Sequence, residues 1–345
     1  MNKTIPVFTI LIFFNLLIAD SLSVIMVGDI MMGSDYPGNN LTPKPECIFQ
    51  EVSAYLNDAD LTLGNHEGTL SEGGICTKKI EKGKCYAFRT PPAYVSYLVD
   101  AGFDGMNLAN NHMNDFGAGG IESTIKALTD AGLKYCGAYS RIARIDIRGT
   151  TVAVMSFATS PNADMIFEIE KAQEFVADVA RENDIVIVSF HGGGEGVKYL
   201  HTADTFEYYM GWPRGNVVKF AHAVIDSGAD CVWGHGPHVP RALEIYKDRM
   251  IAYSLGNFFT WGFNLGDERG YAPILKVTMD TVGTFMHGQI ISALQRTYQY
   301  LQYDSLARAA KLMQGLCEDD FPETCPLIND QGYILPRPKV LDQGD

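Results

Sequence analysis

An α/β fold with a largely parallel sheet, mixed at its edges, is what this sequence predicts. Short apolar runs rich in Val, Ile and Leu alternate with helix-like stretches every few tens of residues, the pattern of strand–helix–strand units. Five of those runs stop abruptly at side chains able to bind metal, as parallel strands do when their carboxyl ends share one cleft. No internal repeat, low-complexity tract or linker divides the chain. Residues 24–275 therefore read as one domain, and residues 276–345 as a C-terminal extension packed on it.

Residues 1–23 read as a leader. Lys3 supplies a positive start, residues 5–18 are nearly all apolar, and Ala19-Asp20-Ser21 or Ser21-Leu22-Ser23 gives a small-x-small cleavage pattern. That run is shorter than the roughly 20 residues of a spanning helix. Export is expected, to a periplasmic, cell-surface or secreted location, with an uncleaved N-terminal anchor as the alternative and membrane association through the N-terminus only.

The predicted elements follow in order. Residues 24–27 form a buried strand ending at Gly28-Asp29, and 46–57 carry helical spacing. Residues 61–63 form the next strand, ending in Gly64-Asn65-His66-Glu67. A helix runs from Pro91-Pro92 to Ala101, stopped by Gly102. Residues 104–109 are a strand before Asn110-Asn111-His112, and 121–131 a helix. Residues 142–148 and 151–157 are strands joined by a turn, and 170–181 a helix. The strand at 185–190 ends in His191-Gly-Gly-Gly-Glu195. After a Tyr-rich insertion come a helix at 216–226, the strand entered at Asp230, and a hairpin of 243–246 with 250–255. Beyond Tyr271 one or two strands, a helix at 306–316 and a Pro-rich tail complete the chain.

With 345 residues, 46% hydrophobic and 20% charged, the composition is that of a globular chain. Its net charge of −14 argues against nucleic acid or anionic lipid as a partner, since either needs a basic footprint. An anionic substrate would need a cation at the site to reverse the local field. Seven cysteines in an exported chain suggest disulfides with one thiol left over. Cys76 with Cys85 and Cys317 with Cys325 are plausible local bridges, Cys136 and Cys231 plausible buried thiols, and Cys47 fits either class.

The strand ends collect Asp29, then Asn65 and Glu67, then Asn111, His112 and Asp115, then His191, then His235 and His238. Mixed His, carboxylate and amide donors suit Mn, Fe or Zn, and six or more would be enough for two ions. Each has a bland reading: Asp29 as a turn cap, His66 and His112 as hydrogen-bonded histidines, Asn110 and Asn111 as loop residues. Their repeated placement after strands favours the metal reading. Lys78, Lys79, Lys82 and Lys84 form a basic excursion that either guides an acidic polymer or is a solvated loop. Tyr199, Phe206, Tyr208, Tyr209 and Trp212 either line the site or pack a loop core. His201, His222 and His287 read as structural.

Val-Gly-Asp29, Asn65-His-Glu67, Leu-Ala-Asn-Asn-His112 with Asp115-Phe-Gly117, His191-Gly-Gly-Gly-Glu195, Gly-His235-Gly-Pro-His238 and Tyr253-Ser-Leu-Gly-Asn-Phe258 resemble the CapA/PgsA group of poly-γ-glutamate capsule synthesis proteins. That group lies within the calcineurin-like metallophosphoesterase superfamily. The resemblance implies a four-layer αββα metallophosphoesterase-like sandwich with mixed β-sheets and a cleft for two divalent metal ions. It implies Asp29, Glu67, Asn111, His191, His235 and His238 as ligands, His112 paired with Asp115 as the acid, and Asn65, Glu195 and Asn257 as substrate contacts. The substrate would be an anionic polymer or a phosphoester. Met31 stands where a further ligand is usual, and Gly192 where a Trp is common, which would widen the cleft. A serine hydrolase is excluded by the lack of a G-x-S-x-G elbow.

Overall fold

The computed structural model describes residues 21–78, 86–160 and 163–338. The leader up to residue 20, Lys79, Lys82, Lys84 and Cys85 lie outside them, and with them the Cys76–Cys85 pairing.

Two mixed sheets face one another. In the first, Ser21–Met31, Leu61–His66, Gly105–Asn107 and Lys134–Cys136 run parallel, and Tyr271–Asp280 then Phe285–Leu294 continue antiparallel on the other side of Ser21–Met31. In the second, Thr150–Ala158, Ile185–His191, Cys231–His235 and Arg249–Ala252 are parallel, with Ile142–Ile147 and Leu243–Tyr246 antiparallel at the flanks.

Period-two alternation sorts the strand residues into three cores. Val24, Met26, Leu61, Leu63, Val154, Ile187 and Trp233 fill the space between the sheets. Ile25, Val27 and Ile30 turn outward to Leu98, Ile121 and Leu128 of the helices Val95–Ala101 and Gly117–Asp130. Ala153, Val186, Val188 and Val232 turn outward to Val176 and Phe220 of Ile169–Ala180 and Val217–Asp226. Helix, sheet, sheet, helix: the four-layer arrangement is present. Both faces of each central strand are buried, so those strands read as unbroken apolar runs.

Several boundaries differ from expectation. Ser21, Leu22 and Ser23 already pair with Asp280, Met279 and Thr278, so the fold starts before residue 24. Tyr271–Asp280 spans the expected break at 275/276, and Met313 and Cys317 of Arg308–Asp320 enter the inter-sheet core, so the C-terminal residues complete the domain. The helix expected over 46–57 is reduced to turns and Ser53–Leu56, although Ile48, Phe49, Val52 and Leu56 remain buried. The strand expected over 104–109 stops at Asn107, whose Oδ1 accepts from Ala109 N at 2.9 Å and turns the chain away. Cys317 and Cys325 are free thiols, not a bridge. Cys317 Sγ faces Leu243 N at 3.0 Å while Cys325 Sγ meets Arg337 Nη2 at 2.7 Å, so each is held by a different neighbour. Burial pushes the thiols of Cys136 and Cys231 up to about 12, which keeps them inert at neutral pH.

Candidate metal centre

Register brings the site together. Asp29 pairs with Asn65 on one side and Asn257 on the other, beside irregularities in the ladder that re-aim the end of the strand. The residue before it must be glycine: a Cβ on Gly28 would sit 2.0 Å from Gly256 O, the carbonyl that accepts from Asp29 N at 2.9 Å. In the second sheet His191 and His235 are direct partners on adjacent parallel strands. Trp233 Nε1 donates to Val27 O at 3.0 Å and ties the two sheets together beneath them.

Asp29 and Glu67 are fully buried. Asp29 Oδ2 lies 2.8 Å from His238 Nδ1, and Oδ1 lies 3.3 Å from His235 Nδ1. Glu67 Oε1 is 3.7 Å from His238 Nε2 and 3.8 Å from Nε2 of both His191 and His112. Those separations around Glu67 are too long for hydrogen bonds. Both Glu67 oxygens, both nitrogens of His191, His235 Nε2 and Asn111 Oδ1 are buried without a hydrogen-bond partner. Leaving each such group unpaired costs about 1–3 kcal/mol, and Glu67 Oε1 lies within 3.8 Å of Nε2 of three histidines. Ligand atoms of Asp29, Glu67 and His238 fall within 4.8 Å of one another. A divalent cation satisfies carboxylate, amide oxygen and imidazole together, so this donor set fits one.

The protonation pattern agrees. Burial alone would raise the Asp29 carboxyl, but hydrogen bonds and charge from His235 and His238 outweigh it and hold it well below the usual range. Burial pushes Glu67 up to about 6. At His238 burial opposes the charged form, yet Glu67 and Asp29 prevail and push it up to about 10: the carboxylates demand a positive charge. Burial, helped by the Arg214 charge, drives His191 down to about 3, leaving the neutral ring that ligation requires.

His112 stands at the edge of this cluster. Asp115 Oδ2 is 2.8 Å from its Nδ1, Asn110 Oδ1 accepts from its backbone N at 3.0 Å, and Phe88 stacks on the ring at 4.2 Å. Lys78 Nζ joins the pair, 2.6 Å from Asp115 Oδ1 and 3.0 Å from His112 Nδ1. The basic excursion thus contributes one cation to the dyad.

A cleft of about 740 Å³ opens over the site, bordered by Met31, Asn111, His112, Glu195, His238 and Asn257. Asn257 Oδ1 lies 3.1 Å from His238 Nδ1, so it also orients that ring. Asn65 departs from its expected role as a substrate contact. It is wholly buried, with Nδ2 donating to Asp29 Oδ1 at 2.8 Å and Oδ1 accepting from Asn107 at 3.0 Å, so it positions Asp29 from behind. His66, on the opposite face of the strand, is buried and pushed down to about 4 by that burial. Gly192 does not widen the cleft: a Cβ there would meet Ile166 Cδ1 at 2.5 Å. Of the aromatic insertion, Tyr209 lines the cleft, whereas Phe206, Tyr208 and Trp212 are exposed. Arg214, which no motif marked, binds the loops after His191 and His235, with Nε donating to Gly193 O at 2.6 Å and Nη2 to Gly236 O at 3.3 Å.

Residues 23–260 match the family model of the bacterial capsule synthesis protein PGA_cap. The chain belongs to that family. Its relatives include the capsule biosynthesis protein CapA of Bacillus anthracis, 33% identical over 264 residues that cover 69% of this chain and 60% of the relative. The PGA biosynthesis protein CapA of Bacillus subtilis (strain 168) is 30% identical over 256 residues, covering 69% and 63%. The chain thus spans about three fifths of the length of these curated relatives. Among solved structures, a hypothetical protein and a 5'-nucleotidase precursor, both from Thermus thermophilus, are similar at 15% identity. Their TM-scores are 0.47 and 0.46, over 79% and 87% of this chain and 98% and 59% of theirs. Among the described residues no helix is long and apolar enough to cross a membrane.

Proposed function

We propose that this PGA_cap family member is an exported metal-dependent hydrolase or transferase of capsule-polymer biosynthesis, acting at a phosphoester or γ-glutamyl-type bond. Asp29, Glu67, Asn111, His191, His235 and His238 would hold two divalent cations. Bound there, the metals supply Lewis acidity and a water of lowered pKa. The chain's own residues do the rest. Asn65 and Asn257 orient Asp29 and His238, Asp115 holds the His112 ring, and His112 Nε2 gives a proton to the leaving atom. The relatives named for PGA biosynthesis point to an anionic polymer, and a cleft with Lys78 and Arg269 at its border suits one.

The observation that carries this reading is the set of unpartnered donors around Glu67. Elemental analysis of purified protein, with turnover of bis-p-nitrophenyl phosphate and γ-glutamyl-p-nitroanilide, tests it. About two Mn, Fe or Zn per chain are expected, and His112→Ala should lower kcat by roughly 10²–10⁴ with metal content unchanged. No turnover under any divalent ion would leave the second reading, a metal-stabilised surface protein that binds the polymer without cleaving it. Met31 favours it: a thioether whose Sδ faces Gly33 N at 3.2 Å stands where a hard ligand was expected.

A further inference from the structure

The chemistry above leaves one buried cation beside the metal residues unused. Arg214 is 6% exposed and lies in the insertion between the two histidine loops. Its Nε and Nη2 are spent on Gly193 O and Gly236 O, and its own carbonyl accepts from Gly193 N at 2.8 Å, so it is clamped to both loops. Nη1 points to Glu195, with 3.3 Å to Oε1. The contrast with Arg241 is informative. That guanidinium is fully buried and forked onto Glu207, both contacts at 2.8 Å, and its charge is answered within the fold. The Arg214–Glu195 contact is looser, and the Glu195 side chain is 20% exposed on the wall of the cleft. A guanidinium out of water needs an anion against it and favours planar, two-oxygen groups such as carboxylate and phosphate. Glu195 meets that need only from one edge.

We infer that Glu195 is a placeholder. It neutralises Arg214 until an anionic oxygen group of the substrate, phosphate or carboxylate, enters the cleft and replaces it at Nη1. Arg214 is then a specificity-determining residue, selecting anions beside the metals, and Glu195 sets how strongly an anion must bind to displace it. The inference rests on the metal-cleft reading for the identity of the anion's owner.

The test is titration calorimetry of inorganic phosphate and of glutarate into the full chain reconstituted with Mn. Wild type, Glu195→Gln, Arg214→Gln and the double variant are compared, and metal per chain is measured on each sample. Removing the competing carboxylate should tighten at least one anion roughly tenfold, and adding Arg214→Gln to that background should abolish the gain. A gain confined to phosphate assigns the anion to a phosphoester, and one confined to glutarate assigns it to a polymer carboxylate. Unchanged affinity for both anions in Glu195→Gln overturns the inference, as does a double variant that binds as tightly as Glu195→Gln alone. Should Arg214→Gln fail to fold or lose metal, Glu195→Gln and Glu195→Asp decide, with the shorter carboxylate expected to fall between wild type and glutamine. Repeating the titrations after chelation separates the two readings. Loss of the metal reading shows as no bound cation, whereas loss of this inference shows as an unaltered ranking of variants.

Discussion

Among the described residues, two clusters of histidine and carboxylate are built around a buried glutamate, and they are finished in opposite ways. Around Glu244 both carboxylate oxygens have partners. Its Oε2 accepts from Tyr253 OH at 2.6 Å and meets His222 Nε2 at 2.9 Å, its Oε1 accepts from Thr324 Oγ1 at 2.8 Å, and His222 stacks on Tyr246. Around Glu67 the same residue types converge with neither carboxylate oxygen satisfied. Exposure to solvent is alike, since Glu244 is 2% and Glu67 0% exposed. What differs is whether the protein completes its own hydrogen bonds. The closed cluster fastens the C-terminal segment to the second sheet, with Phe321 stacked on Tyr253. The open one is the proposed metal site, with a donor set that fits a cation.

The strongest way to break this contrast is to remove each carboxylate and read metal and stability together. Glu67→Ala should lose at least about nine tenths of its bound metal by elemental analysis. Its metal-free form should stay close in stability to metal-free wild type, because the substitution removes no hydrogen bond of the Glu67 carboxyl. Chelation should cost wild type about 4 kcal/mol if metal is supplied at roughly a thousand times Kd, and Glu67→Ala almost nothing. Equal chelator sensitivity in both would show that the orphaned atoms do not face an ion.

Glu244→Ala should do the reverse. It strands His222, Tyr253 and Thr324, so urea unfolding should show a loss of about 2–4 kcal/mol with metal content intact. The pH dependence follows from the sign of the shift. Burial would raise the Glu244 carboxyl, but His222 and Tyr253 outweigh it and hold it below its ordinary value. Its contribution is therefore present above the unfolded pKa near 4.5 and is lost as pH falls through the lower folded value. A larger effect of Glu244→Ala on metal than on stability would erase the distinction between the clusters.

Much of the open cluster was legible in the sequence, and the reason is geometric. Asp29, His191 and His235 end strands whose two faces are buried, and for such strands register fixes which side chains meet at the carboxyl edge. Asn65 was legible as a position but not as a role. Its side chain turns into the cluster behind Asp29, and three amide contacts consume its polar atoms before any ligand arrives. Lys78 and Arg214 lie in excursions without periodicity, where sequence says nothing about direction. The closed cluster was less legible still. Glu244 sits on an ordinary hairpin strand, and Thr324 reaches it only because the chain folds back after Arg308–Asp320. Cys317 and Cys325, whose nearness in sequence had suggested a bridge, remain free thiols, each against a different neighbour.

A third buried carboxylate lies between the two extremes and gives the smallest test. Asp230 accepts from Val186 N at 2.9 Å and from Arg249 Nε at 3.1 Å, so it is partnered, yet burial still pushes it up to about 6. The folded state therefore holds a proton at Asp230 more tightly than the unfolded chain, whose pKa is near 3.8. The resulting stabilisation is complete below pH 3.8 and is lost as pH rises through about 6. That loss amounts to about 3 kcal/mol at most. Asp230→Asn keeps an oxygen for Val186 N and cannot titrate. The difference in unfolding free energy between wild type and Asp230→Asn should thus fall by up to that amount from about pH 4 to pH 6 and stay level above. A flat difference would mean that two hydrogen bonds fully offset burial at Asp230. The loss of partners at Glu67, and not burial, would then be the whole of what sets the open cluster apart.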